Sequence, residues 1–232
     1  MSVGYADENI IAKVSEAARA VASGAARYER DSVLFQDTDY PFAVLAALLR
    51  AASANNNRLE VVDFGGSLGS TYHQCRRFLD GVSAIDWWVV EQPQFVAVGR
   101  REFTNEELRF VHDFGELPKV APGGIVLACS VLQYMEDPSS TLASLDKLPV
   151  RHLVIDRTPI SEAETNRLCV QHVPKSIYEA NYPCWIFSRP YLLSILSRSW
   201  RVVSDFACME GKTRTDDGLE FEYRGLILER PS

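Results

Sequence analysis

The sequence predicts an α/β protein in which a central, mostly parallel sheet of seven strands ends in an antiparallel hairpin and carries helices on both faces. From Leu59 onward, short runs of β-forming residues alternate with helical runs, a pattern that implies right-handed crossovers and parallel strands. Residues 200–230 break the alternation with two strands joined by a polar turn. The chain has 232 residues, 47% of them hydrophobic, which is enough for one sizeable core.

The first 58 residues are predicted to form a helical appendage or lid ahead of a domain spanning 59–232. Apolar residues recur at helical spacing over 9–23, where Gly24 would end the helix. The connector at 28–39 is polar and charged, and Pro41 opens a second helix.

The strands of the sheet are predicted from apolar runs rich in β-branched and aromatic residues. They are 59–64, 85–91, 108–114, 123–130, 151–157, 200–209 and 219–230. Helices are expected after Gly69 and over 93–103, 142–148 and 188–200. The segment 156–188 is too long for an ordinary loop and is predicted to be a substrate-side insertion, with a helix over 161–169.

Composition excludes several classes of function. A net charge of -7 with no basic run argues against a nucleic-acid binder. The five cysteines and four histidines are scattered, which predicts reduced thiols and no metal site. With no apolar run long enough for a membrane span and no signal peptide at the N-terminus, a cytoplasmic location is expected.

The stretch DFGGSLGS directly follows the first predicted strand of the sheet. Glycines there let the backbone approach a ligand, and the helix that follows offers unpaired N–H groups; an ordinary tight turn is the alternative. The dinucleotide pattern G-x-G-x-x-G fails at two serines. The looser D-x-G-x-x-x-G fits, and it resembles the first motif of class I S-adenosylmethionine-dependent methyltransferases. The candidate cofactor residues in this turn are Asp63, Gly65, Gly66, Ser67 and Gly69.

Further cofactor candidates lie at the ends of the next strands. Glu91, followed by Gln92, ends the second strand of the sheet, where a carboxylate can accept hydrogen bonds from two ribose hydroxyls. The resemblance places an adenine contact at Asp113 and Phe114, and Ser130 at the cleft where cofactor and substrate meet.

Longer stretches resemble one family of methyltransferase-like proteins whose members are often encoded among genes for surface polysaccharide and other glycan biosynthesis. The likeness covers about residues 25–206 and is carried by the stretches YERDSVLF, VDFGGSLGSTYHQ, WWVVEQPQFV, SVLQYMEDP, VIDRTPI and VQHVPKSIYEANYPCWIFS. It implies a Rossmann-like class I methyltransferase fold with S-adenosylmethionine as cofactor. Tyr28 and Arg30 could then close over this cofactor, with Arg30 pairing its carboxylate.

The expected reaction is O-methylation of a small or glycan-linked acceptor. His172 is the first candidate for the base that removes the acceptor proton, because histidine is the side chain that most often serves as a general base near neutral pH. Asp156 is second, and Tyr178 completes the catalytic set. The candidate substrate-binding residues are Gln133, Tyr134, Arg157, Lys175 and Tyr182. A second copy of the chain remains open as a partner. A non-catalytic cofactor-binding protein and an NAD-dependent oxidoreductase are the alternatives.

Overall fold

The computed structural model describes residues 8–30, 32–37, 39–173 and 180–231, and it confirms the predicted mixed α/β fold. The strands are β1 Tyr28–Arg30, β2 Val33–Phe35, β3 Arg58–Phe64, β4 Ala84–Val90, β5 Leu108–Val111, β6 Ile125–Cys129, β7 His152–Ser161, β8 Arg167–Val173, β9 Ala180–Ser188, β10 Arg201–Arg214 and β11 Glu220–Glu229. The helices are α1 Glu8–Ala22, α2 Phe42–Ala54, α3 Ser70–Cys75, α4 Pro93–Glu102, α5 Pro138–Asp146 and α6 Arg189–Leu196.

The seven predicted strands form one continuous path in the order β10-β11-β7-β6-β3-β4-β5. The pairs from β7 to β5 are parallel, whereas β11 runs antiparallel to both β7 and β10. The chain leaves β3 in one direction to β4 and later returns on its other side to β6. Ligands of open α/β sheets bind at such a reversal, beyond the carboxyl end of the central strand.

The sheet separates two apolar cores because alternate residues of each strand face opposite sides. In β3, Val61 packs into the core that contains α2, whereas Val62 packs into the core of α5 and α6. The first of these cores also takes in Ile10 and Val14 of α1. Because Asp63 follows Val61 by two residues, its side chain lies on the same face of the sheet as α1 and α2.

Two predictions of local structure are wrong. Residues 28–35, expected to be part of a connector, form an antiparallel hairpin of β1 and β2. The segment 161–169, expected to be helical, leads instead into β8. This strand pairs antiparallel with β9, which in turn joins β7 in parallel register at Ile160 and Ser161. The insertion therefore extends the sheet, since the end of the predicted helix, Arg167–Cys169, pairs with β9 and residues 162–166 form the connection between β7 and β8.

A glycine in the C-terminal hairpin is predicted to be essential for stability. Gly225 of β11 lies directly opposite Phe206 of β10, and a Cβ at this position would overlap the Phe206 ring. Gly225→Ala should lower the free energy of unfolding by about 1–3 kcal/mol, because the aromatic ring must shift. Urea denaturation measures this, with Gly81→Ala as the control, since no atom lies within 4 Å of that added Cβ. Equal stability of the two variants would contradict the prediction.

Three further features concern the described residues. No helix among them is long and apolar enough to cross a bilayer. No cluster of three or more His, Cys, Asp or Glu side chains in this part of the chain is arranged to hold a metal ion. All five cysteines are free thiols.

Candidate functional site

A cavity of about 860 Å³ opens at the carboxyl edge of the parallel strands. Its floor is formed by the ends of β3, β4 and β6 and by Arg157 of β7, the edge at which the strand order reverses. Residues of the β1–β2 hairpin and of the β8–β9 hairpin also line it. The site thus lies where the topology predicts a ligand.

The glycine turn after β3 forms the centre of the cavity wall. Gly65 adopts a φ of 71° and Ser67 a φ of 55°, both in the left-handed region. A Cβ on Gly65 would overlap the side chain of Val131, and one on Gly66 would lie 2.5 Å from Asp63 Cγ. Gly69 does not line the cavity; it precedes α3 with a φ of 89° and packs against Leu108.

Asp63 is a fully buried carboxylate in the cavity floor, with 0% of its surface exposed. Trp87 donates its indole N–H to Asp63 Oδ2 at 3.0 Å. Among the described residues, Asp63 Oδ1 has no hydrogen-bond partner. Burial raises the pKa of Asp63 to about 7, against the lowering effect of the Trp87 hydrogen bond. The carboxylate is therefore costly to ionise unless a donor or a cation reaches it from the cavity.

Glu91 stands just past the end of β4 and accepts two backbone hydrogen bonds. The N–H of Gln92 reaches Oε2 at 2.7 Å, and the N–H of Ser67 reaches Oε1 at 3.3 Å. Burial raises the pKa of Glu91. Glu91, Gln92 and Ser67 all line the cavity, so the predicted ribose-binding acid is coupled to the glycine turn.

The β1–β2 hairpin brings Glu29, Arg30 and Ser32 into the cavity wall. Arg30 Nη1 lies 3.4 Å from Glu210 Oε1 on β10, so an ion pair joins this hairpin to the C-terminal one. Tyr28, a predicted cofactor residue, does not line the cavity. It stacks on Phe35 at 4.6 Å and lines a second cavity of about 430 Å³.

Ser130 directly follows β6, and Arg157 lies within β7. Both have left-handed backbones, with a φ of 55° for Ser130 and 49° for Arg157. Both line the cavity. Gln133 lies behind them, 1% exposed, and donates to Ser130 Oγ at 3.1 Å and to the carbonyl of Arg157 at 3.2 Å. Gln133 thus supports the wall, although it does not form part of its surface.

Aromatic side chains line the end of the cavity formed by the β8–β9 hairpin. The rings of Tyr134 and Tyr182 meet edge to face at 5.2 Å. The Tyr134 hydroxyl donates to Gln171 at 3.0 Å, and the Trp185 indole donates to the carbonyl of Met135 at 3.0 Å. These contacts fix three rings around open space, so the aromatic residues border the cavity and do not fill it.

The remaining predicted residues lie away from the cavity surface or outside the described part of the chain. His172 is exposed on β8, with Nδ1 2.6 Å from Asn181 Oδ1. Asp156 accepts from the Cys208 thiol at 3.3 Å and lies 3.6 Å from the Arg157 guanidinium. Asp113 accepts from the Gly115 N–H at 2.7 Å, and Phe114 packs on Phe64 at 5.4 Å. Lys175 and Tyr178 lie outside the described residues.

Several lining residues were not singled out from the sequence. The most important is Glu29, which stands in the YERDSVLF stretch but has no spacing that marks it. Thr71, Gln74, Cys129, Met135, Glu136 and Leu168 also line the cavity. The sequence shows a carboxylate between Tyr28 and Arg30, but it is the β1–β2 hairpin that places this carboxylate in the cavity wall.

Comparisons with solved structures identify the fold. The N-terminal domain of EvdMO1, solved in the presence of SAH and D-fucose, matches with a TM-score of 0.52 and 13% identity over 95% of this chain and 97% of that one. Magnesium protoporphyrin IX methyltransferase from Synechocystis PCC 6803, with bound SAM, matches with a TM-score of 0.50 and 16% identity over 94% and 97%. The glycopeptide N-methyltransferase MtfA, complexed with sinefungin, matches with a TM-score of 0.51 and 9% identity over 80% and 85%.

No protein-family model and no curated protein matches the chain. At these identities the structural likeness establishes the Rossmann-like architecture seen in methyltransferases.

Proposed function

We propose that this chain is an S-adenosylmethionine-dependent methyltransferase that methylates a hydroxyl group of a small or glycan-linked acceptor. The observation that carries the proposal is the charge of the cavity around the glycine turn. Four acids line the described cavity, Glu29, Asp63, Glu91 and Glu136, against two arginines. Both arginines lie close to carboxylates, since Arg30 pairs with Glu210 and Arg157 with Asp156.

A cationic cofactor suits this lining better than a phosphate-bearing one. S-adenosylmethionine carries a sulfonium, an ammonium and a single carboxylate, so it brings net positive charge to buried acids. The pyrophosphate of NAD would instead meet Asp63 and Glu91. The antiparallel β11 between β7 and β10 also separates this sheet from the all-parallel dehydrogenase arrangement.

Different residues of the cavity would bind different parts of the cofactor. Glu91 would accept hydrogen bonds from the ribose hydroxyls, and the turn from Gly65 to Ser67 would let the backbone approach the sugar and the amino-acid end. The cofactor supplies an electrophilic methyl group; the chain contributes alignment and exclusion of water.

We assign the methyl acceptor to the part of the cavity that is lined by aromatic side chains. Tyr134, Tyr182 and Trp185 offer ring faces and edges of the kind that pack against a sugar or another flat molecule. The D-fucose in the EvdMO1 structure supports a sugar acceptor as the first class to try, as does the resemblance to proteins of glycan biosynthesis.

One observation favours a second candidate function, a cofactor-binding protein without catalysis. Of the proposed bases, His172 and Asp156 are engaged with Asn181 and Cys208 and do not line the cavity, while Tyr178 lies outside the described residues. The two functions differ in turnover, which an assay with acceptor resolves.

Thermal unfolding tests the cofactor. S-adenosylmethionine or S-adenosylhomocysteine at about 100 times its dissociation constant should raise the free energy of unfolding by roughly 2.7 kcal/mol. For a domain of this size, this raises the melting temperature by about 5–10 °C. NAD should leave the melting temperature unchanged. A rise with NAD alone would overturn the proposal.

Formation of S-adenosylhomocysteine tests the acceptor class. A 6-deoxyhexose and its nucleotide-linked form should support turnover, and amines of similar size should not. Tyr182→Ala should reduce turnover about 10-fold or more while leaving cofactor binding intact, because the ring lies at the acceptor end. Cofactor binding without turnover on any hydroxyl acceptor would favour the non-catalytic function.

A further inference from the structure

Glu29 is a buried carboxylate, 6% exposed, that precedes the sheet in sequence and lines the cavity. Its Oε2 accepts the N–H of Ser32 at 3.1 Å, and its Oε1 accepts the hydroxyl of Ser70, the first residue of α3. The carboxylate is therefore held in a fixed orientation by both the β1–β2 hairpin and α3. A fixed, buried acid in a cavity wall is the arrangement that recognises a cation.

Two of the four acids that line the described cavity, Glu91 and Glu29, contact the glycine turn and the residue that follows it. Glu91 contacts the turn at Ser67, whereas Glu29 contacts it three residues later, at Ser70. If Glu91 holds the ribose, as proposed above, Glu29 lies toward the other end of the nucleoside, where the amino-acid part of the cofactor extends.

Two unpaired polar atoms point to a ligand in the same region. Among the described residues, Asp63 Oδ1 and Ser32 Oγ are buried and have no hydrogen-bond partner. Both residues line the same cavity as Glu29. Buried polar groups without partners are rare in folded proteins, and a ligand that carries several N–H donors would satisfy them.

We propose that Glu29, with Asp63 and Ser32, forms a subsite for the ammonium group of the cofactor's amino-acid end. This inference rests on the proposed function. It makes Glu29 a specificity residue, which separates adenosine thioethers that carry an amino acid from those that lack one. The β1–β2 hairpin then belongs to the binding site although it precedes the first strand of the parallel sheet.

Two thioethers provide the test, because they differ only in the amino-acid part. Isothermal titration calorimetry would compare S-adenosylhomocysteine with 5′-methylthioadenosine on the wild-type chain and on Glu29→Gln. The substitution should weaken S-adenosylhomocysteine binding by about 10- to 100-fold and change 5′-methylthioadenosine binding by less than about 2-fold. Glu116→Gln is the matched control, since it removes the same charge from an acid that pairs with Arg100 and does not line the cavity; both affinities should remain unchanged.

Each other outcome has a defined meaning. Equal loss for both thioethers would overturn the subsite, because Glu29 would then act only by holding Ser32 and Ser70 in place. No loss for either would overturn it as well. If the wild-type chain binds neither thioether, the proposed function itself fails. Should Glu29→Gln unfold, Glu29→Asp keeps the charge but shortens its reach, and the same selective loss of S-adenosylhomocysteine affinity is expected.

Discussion

Replacing Glu91 with alanine is expected to weaken S-adenosylhomocysteine binding by about 100-fold or more. Hydrogen bonds to a charged group are each worth about 1.5–3 kcal/mol, and the proposed role gives Glu91 two ribose hydroxyls. The same carboxylate also accepts the N–H of Ser67, so its loss releases the turn on which the cofactor lies. Calorimetric titration measures the change.

Glu116→Ala is the control for this prediction. Glu116 is an acid near the same edge of the sheet, but it pairs with Arg100 at 2.8 Å and does not line the cavity. Its removal should leave binding unchanged. Similar affinities for the two variants would show that Glu91 contributes only general charge.

Asp63→Asn is expected to give a protein that is more stable at pH 8 and no longer binds the cofactor well. Burial raises the pKa of Asp63 from its ordinary value of 3.8 to about 7. The folded chain therefore holds this proton more tightly than the unfolded chain, and stability falls as pH rises from about 4 to 7. A difference of one pKa unit between the folded and the unfolded chain corresponds to about 1.4 kcal/mol, so the ionisation of Asp63 lowers the free energy of unfolding by about 4 kcal/mol above pH 7.

Urea denaturation of both proteins at several pH values measures the difference. The advantage of the asparagine variant should be small near pH 4, grow toward pH 7 and remain constant above it. A difference that does not vary with pH would contradict the burial of an ionisable carboxylate at this position. Loss of S-adenosylhomocysteine affinity in the more stable variant would link the instability of Asp63 to function.

The parts of the fold that were predictable from the sequence are those with strong periodicity. Runs such as LEVVDF and GGIVLACS lie in strands that are buried on both faces, and helical runs separate them. The glycine turn was recognisable because a left-handed backbone at Gly65 and close packing at both Gly65 and Gly66 demand glycine. Local chemistry fixes these features.

The features that were not predictable depend on distant contacts. β1 and β2 have three residues each, too few for alternation to be visible. β8 is a strand because β9 pairs with it and joins β7, and nothing within 161–169 signals this. Its alternation leaves His172 exposed, so a histidine chosen for its chemistry lies off the cavity surface. Glu29 was missed for the converse reason, since only the hairpin directs it inward.

Among the residues that the structure describes, four of the cavity wall other than glycine have left-handed backbones: Ser32, Ser67, Ser130 and Arg157. Each such conformation costs on the order of 1–3 kcal/mol, so the molecule is least relaxed where its four separate chain segments converge on one ligand. Selection for heat resistance alone would favour glycine at these positions and would erode the pocket's shape at the same time. In laboratory evolution, substitutions at these four positions that raise thermal stability would therefore weaken ligand binding.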